Sequence, residues 1–269
     1  MSRARVAAIP APYSRARRAA LGLALPLAAL IAWELSARFG TVPSYLIAPS
    51  VIFATTWEMA ASGELWQHTS ASLVRAMGGY AIGGAAGIAM GLLAGIARPV
   101  ERFYDPIVSL TYPVPKIVVL PILIAWLGSG DASKIAVVTA AVFYPTFINA
   151  MYGAKGVNRI YVWSARNMGA NAAQVFAKVI LPAALPQVLT GSRIGLALAF
   201  IVTVAAEMQN SRGGLGHLVI AAEDSMRFDL MYSAIVAIAI IGFAGDRVLV
   251  ALRRRALAGQ ALGKEGAHG

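Results

Sequence analysis

The chain contains no cysteine, which excludes disulfide cross-links and thiolate metal sites and leaves the redox compartment open. Histidine is scarce. His68, His217 and His268 lie far apart in sequence and in no HExxH pattern, so a histidine-based metal centre finds no support. No lysine sits in a GxxxxGKS or GxxxxGKT loop, so the chain lacks the backbone cradle needed to bind and hydrolyse ATP. GxSxG is absent as well, and no apolar run carries a pair of acids, which argues against an intramembrane hydrolase. Charge itself is thin, 13% of residues against roughly 25% in an ordinary soluble domain. Acids are the scarcer sign, 12 against 23 bases.

What the chain has in quantity is apolar length. Of its 269 residues 58% are hydrophobic, and several windows exceed the ~18 residues that suggest a membrane-spanning helix. The expected fold is an all-α integral membrane protein with six spans, at about 19–39, 72–97, 105–127, 132–153, 187–207 and 229–250. Tails at 1–18 and 251–269 flank this single membrane domain, and no internal repeat is evident. Arg15, Arg17 and Arg18 before the first run also suit a signal peptide, but its near-spanning length and the lack of a strong cleavage site favour a retained helix. Residues 44–68 are more polar, and within them "PSVIFATTWEMAASGELW" reads as a short interfacial helix, with Ser50 as N-cap and Trp57 and Trp66 at headgroup level.

The excess of positive charge has two explanations. Nucleic-acid binding requires a soluble basic face and a recognisable motif, and neither is present. A membrane protein instead concentrates Lys and Arg in alternate loops. With the N-terminus in the cytoplasm, the four cytoplasmic segments hold five, two, four and five basic residues, sixteen of the 23. The outer segments hold only Arg38, Lys134, Arg212 and Arg227. Both termini are therefore expected in the cytoplasm.

Two patterns bear on packing and pathway. Gly79, Gly83, Gly87, Gly91 and Gly95 recur every fourth residue in the second span, the spacing that lets a neighbouring helix approach closely. Pro113, Pro115 and Pro121 interrupt the third span, which is expected to be bent or partly unwound. Lys116 lies at that interruption and either lines a pathway or snorkels to the surface. Glu207 and Arg193, at the two ends of the fifth span, are either functional or interface anchors. Ser192 and Thr203 either meet a polar solute or bond their own backbone.

Between spans four and five lies "RNMGANAAQVFAKVILPAALP", residues 166–186. Met168, Ala172, Val175, Phe176 and Val179 form one apolar stripe at helical spacing, with Asn167, Asn171, Gln174 and Lys178 opposite. Pro182 and Pro186 are expected to stop this helix, and Gly169 marks either a tight contact or a turn. The charge count places the stretch in the cytoplasm. Periodicity leaves three uses open: a helix on the headgroups, a helix packed beneath the bundle, or a helix docked in a partner's groove.

The stretch resembles the cytoplasmic loop motif of ABC importer permeases, EAA, three residues, Gly, nine residues, then I-x-L-P. Gly169 takes the glycine position and Val179-Ile180-Leu181-Pro182 the last four. Trp163-Ser164-Ala165 replaces EAA, keeping only the final Ala. "SASLVRAMGGYAIGGAAGIAMGLLAG", "PVPKIVVLPILIAWLG" and "AAEMQNSRGGLGHLV" are similar to the subfamily for sulfonates, taurine, nitrate and related solutes. The resemblance spans most of residues 45–250.

It implies a type I importer permease of a bacterial inner membrane, with a coupling helix at about 163–181 that contacts an ATPase through Ala165, Met168, Gly169, Ala170 and Val175. ATP and its magnesium would sit on that separate ATPase, present in two copies, and no cofactor on this chain. The resemblance further implies a permease homodimer and an extracytoplasmic substrate-binding protein that docks near "NSRGGLGHLV" and residues 223–227. Lys116, Ser192, Thr203 and Glu207 are the pathway candidates. The competing reading is a secondary transporter or channel. It would lack a coupling helix, and it has only Glu34 and Glu207 as candidate intramembrane acids.

Overall fold

The computed structural model describes residues 15–40 and 42–265, with side chains described from 24 to 255 apart from 41. Among these residues the secondary structure is entirely helical. In chain order the elements are α1 (Arg15–Arg38), α2 (Pro49–Ser62), α3 (Glu64–Ile96), α4 (Arg98–Thr111), a 3₁₀ turn (Lys116–Val119) and α5 (Leu120–Leu127). Then come α6 (Asp131–Lys155), α7 (Arg159–Asn167), α8 (Ala172–Val175), a π turn (Phe176–Ile180), α9 (Leu181–Gln209), α10 (Leu215–Asp224) and α11 (Phe228–Glu265).

The centre of the bundle is α6, held between α3 and α9. Small residues make this possible. A Cβ built on Gly83 would lie 2.4 Å from the Thr139 carbonyl oxygen, and one on Gly91 would lie 2.3 Å from that of Phe147. Gly79, Gly87 and Gly95 also abut α6, where a Cβ would come to 2.4 Å from the Val138 side chain, 2.1 Å from the Thr146 hydroxyl and 2.6 Å from the Met151 carbonyl oxygen. On the other side, Gly191 of α9 approaches the Pro145 carbonyl of α6, where a Cβ would come to 2.8 Å. Lipid supplies no hydrophobic drive between helices, so backbones this close gain stability from dispersion and short polar contacts instead. Leu120, Val137, Val138, Val142, Ala199 and Ala206 fill one end of the core, and Leu92, Ala150, Ala154, Ala184 and Val188 the other.

Four helices are long and apolar enough to cross a bilayer: Glu64–Ile96, Asp131–Lys155, Ala172–Gln209 and Phe228–Arg255. The bent pair Arg98–Thr111 and Lys116–Leu127 makes a fifth if it counts as one span. The expected first span falls on α1, whose side chains are described only from Ala24. The described residues therefore give four or five spans, and the side chains of the expected first span, 19–39, lie partly outside them. The expected tail at 1–18 lies outside the described residues except where α1 begins at Arg15, and α11 continues past 250 to Glu265.

Proline explains the bent pair. Its two arms meet at 88° across Tyr112–Pro115. Pro113 and Pro115 cannot donate to the ladder, so the helix that still includes Tyr112 in its last turn ends there, and Pro115 is already extended. Pro121 has no such effect, because it lies in the first turn of α5 where an N–H would be unpaired anyway. Ser50 is not the cap of α2, a position held by Ala48. Its amide and hydroxyl instead donate to Glu34 of α1, at 2.9 and 2.7 Å.

Candidate functional site

Three places concentrate chemistry: an elbow at the α7–α9 junction, a polar clasp at the opposite end of the bundle, and a cavity at the α4–α5 break between them.

The elbow is two helices. Asn158 caps α7, its side chain accepting from the Ile160 amide at 3.0 Å. The helix then ends in a left-handed turn. The Gly169 and Ala170 amides donate back to Arg166 and Ala165, and Gly169 has φ +83°, a geometry only glycine adopts without strain. Gly169 thus makes the turn, and no atom lies within 4 Å of where its Cβ would be. Asn171 restarts the chain with a capping box, exchanging 2.9 Å bonds with Gln174. The continuous coupling helix expected over 163–181 is therefore broken at 168–171.

The prolines do not stop the second of these helices. A helical segment runs unbroken from Ala172 to Gln209. The Leu181 amide reaches back five residues to Phe176. That wider π turn takes up the backbone offset next to Pro182, which has no amide to donate. Pro186 lies inside α9. Of the five expected contact residues, Met168 is 81% exposed at the tip and Gly169 is exposed beside it. Ala170 is half-buried, while Ala165 and Val175 are buried in the chain's own packing. Ile160, Tyr161 and Trp163 of α7 are exposed, so the tip presents a cluster of large apolar side chains.

The clasp joins α3, α6 and α9 to the loop before α10. Arg75 Nη1 donates to Glu207 Oε1 at 2.6 Å and to the Gly213 carbonyl at 2.7 Å, and its Nε donates to Asp131 at 2.7 Å. Ser72 donates to Glu207 at 2.7 Å and accepts from the Leu215 amide at 2.8 Å. The Gly216 amide donates to the second Glu207 oxygen at 3.0 Å. Gly214, at φ +107°, lies so close to Glu207 that any Cβ would overlap the carboxylate. His68 Nδ1 lies within 3.2 Å of Gly214 N and stacks near His217, with ring centroids 6.5 Å apart. Sequence reasoning found Glu207 but not its partners Ser72 and Arg75, nor Asp131 on the other arm of Arg75. The available signal was charge sign and depth: Arg75 enters the second span where Glu207 leaves the fifth, and those ends lie together.

The remaining pathway candidates separate. Ser192 is buried and donates to the Val188 carbonyl at 2.9 Å. Thr203 is buried with no hydrogen-bond partner for Oγ1 among the described residues. Glu207 is enclosed by the clasp. Arg193 makes a two-pronged ion pair with Asp246 of α11, at 2.7 and 3.0 Å. Arg193 and Asp246 also line an apolar cavity of about 570 Å³ between α9 and α11, and Lys116 lines one of about 330 Å³ with Tyr112, Tyr144, Pro145, Ile201 and Ala205 among its neighbours. Among the described residues no cluster of three or more potential metal ligands occurs.

A family model described as Binding-protein-dependent transport system inner membrane component matches residues 83–257. The chain is 40% identical over 191 residues to the Taurine transport system permease protein TauC of Escherichia coli (strain K12), covering 71% of this chain and 70% of that protein. It is 32% identical over 237 residues to SsuC of Bacillus subtilis (strain 168), named as an aliphatic sulfonates transport permease protein, covering 88% and 86%. Among solved structures, an inward-facing conformation of the MetNI methionine ABC transporter superposes with a TM-score of 0.55 at 22% identity, covering 70% of this chain and 93% of that one. At that identity the likeness establishes the fold alone.

Proposed function

Because the chain belongs to the binding-protein-dependent transport permeases, we propose that it lines the route by which taurine or a related small sulfonate enters the cell. It is a multi-pass inner-membrane permease subunit of an ABC importer. The sulfonate assignment rests on the names of the relatives. Two such chains pair as a homodimer, two copies of a separate ATPase bind ATP and magnesium, and a substrate-binding protein delivers solute at the clasp end. The elbow and both termini face the cytoplasm, in keeping with the bias of basic residues. Lys116 faces the solute, whereas Ser192, Thr203 and Glu207 contribute from within the packing between spans.

One observation carries the coupling to an ATPase. The elbow projects Met168, Tyr161 and Trp163 outward, and exposed apolar clusters of this kind mark partner sites. Just beyond the tip, helix runs without a break from Ala172 through the π turn into α9, so a push passed across the Gly169 turn reaches the clasp along one helix. ATP-driven closure of the ATPase dimer moves the elbows, and the cavity between the two permeases then opens outward.

Met168 is the residue to vary, since a side chain at Gly169 would strain the turn whether or not a partner docks. Met168→Glu is expected to insert normally and to weaken ATPase association by about 2 kcal/mol, roughly 30-fold. Co-purification with the ATPase and ATP-driven uptake in proteoliposomes measure this. Unchanged association would remove the elbow from the interface. Uptake that persists without any ATPase would overturn the importer reading in favour of a carrier or channel.

A further inference from the structure

We propose that Lys116 is an anion-recognising subsite, which receives the sulfonate group of the solute at the break between α4 and α5. The inference rests on the importer reading above and adds the chemistry by which the pathway knows its cargo.

The argument begins with counter-charges. A cation within a membrane protein is expensive unless it is paired. Arg75 is paired with Glu207 and Asp131, and Arg193 with Asp246. Lys134, buried at the clasp end, donates to the Ser129 and Gly130 carbonyls beside Asp131. Lys116 differs. Its ammonium donates to the Thr111 and Val114 carbonyls at 2.5 and 2.8 Å and to Tyr112 at 3.3 Å, and no carboxylate among the described residues pairs with it. Carbonyl dipoles fix the position of an ammonium, but they leave its unit charge uncompensated.

Location adds to this. Lys116 lines the 330 Å³ cavity together with Tyr144 and Pro145 of α6 and Ile201 and Ala205 of α9. Tyr144 lies near the middle of the 25-residue α6, so the cavity sits far from either end of the helices around it. Broken helices at mid-depth are where transporters commonly hold solute, and a volume of this order suits a small molecule. The walls are mostly apolar with one cation, a match for a short alkyl chain ending in an anion.

Geometry also pre-orients the charge. The Nζ of Lys116 sits 4.0 Å from the centroid of the Tyr144 ring, a cation–π contact. The Tyr144 hydroxyl donates to Thr111 Oγ1 at 2.8 Å, which ties α6 to the last turn of α4. The weakest of the three carbonyl contacts, at 3.3 Å, is the one an incoming oxyanion would replace.

The test uses the whole importer, permease with its ATPase and binding protein, in proteoliposomes, with ATP-driven uptake of taurine and ethanesulfonate as the readout. Lys116→Met is expected to lower uptake about tenfold or more, with binding-protein-stimulated ATP hydrolysis held within about twofold of the wild type. Because the chain has no cysteine, Lys116→Cys introduces its single thiol. Alkylating that thiol with 2-bromoethylamine, which rebuilds a lysine-length amine, should restore uptake, while neutral methyl methanethiosulfonate should not.

Equal loss of ATP hydrolysis and uptake would make Lys116 a pin for the α4 terminus and overturn the subsite. So would wild-type uptake by Lys116→Met. If Lys116→Met fails to assemble, Lys116→Arg decides: a KM for ethanesulfonate shifted by about threefold or more supports the subsite, and an unchanged KM overturns it. A wild-type complex that imports neither sulfonate refutes the sulfonate reading itself, and the subsite with it.

Discussion

Arg75→Leu should destabilise the folded chain by about 3–5 kcal/mol, the usual cost of leaving a buried charge without its partner. Glu207 is 1% exposed, so no water replaces the lost guanidinium, and the Gly213 carbonyl loses a donor at the same time. The Asp131 arm contributes little to this figure, because its side chain is 59% exposed and exposed ion pairs are worth roughly 1 kcal/mol or less. Adding Glu207→Leu should recover part of the loss, since the double variant removes both charges. Thermal unfolding of the purified single and double variants measures both effects. A shift for Arg75→Leu equivalent to less than about 1 kcal/mol would mean that the clasp is solvated and not a buried pair.

The second large effect is expected on the glycine ladder. In Gly91→Ala the new methyl meets the Phe147 carbonyl at 2.3 Å and Ala150 Cβ at 2.9 Å. Backbone cannot rotate away as a side chain does, so α3 and α6 must separate along their length. We expect a loss of about 3 kcal/mol, the upper part of the usual range for overpacking. Gly78→Ala is the control. Its methyl would meet Ile135 at 3.5 Å, an ordinary contact, and alanine improves helix propensity by up to about 1 kcal/mol. Equal melting temperatures for the two variants would show that the helix contact tolerates expansion.

Features with a local cause were legible in the sequence. The glycine spacing announced a close helix neighbour, and the paired prolines announced the break at 112–115. Features decided by tertiary partners were not. A five-residue reach in the backbone lets α9 continue through Pro182, and nothing in the composition of "FAKVI" signals it. Gly169 read as a contact or a turn from its residue type and as an ATPase contact from the resemblance, and its φ of +83° shows that it makes a turn. Ser50 has the chemistry of a cap, yet Glu34, sixteen residues earlier, takes both its donors. The Arg75–Glu207 pair joins positions 132 residues apart, where the order of residues carries sign and depth but not partnership.

That separation governs how the molecule is made. Chains emerge N-terminal end first, so the helix bearing Arg75 enters the bilayer before residue 207 has been synthesised. In the interval the nearest counter-charge is Asp131, carried by the next long helix and bonded to the same guanidinium. The glycine-lined pair of α3 and α6 can therefore assemble early with its arginine provisionally satisfied. The clasp closes only with the arrival of Glu207 and the folding of residues 210–214 over it, before α10 and α11 complete the bundle. A chain halted before that point keeps Arg75 paired with the exposed Asp131 alone, without the buried carboxylate that the finished clasp supplies.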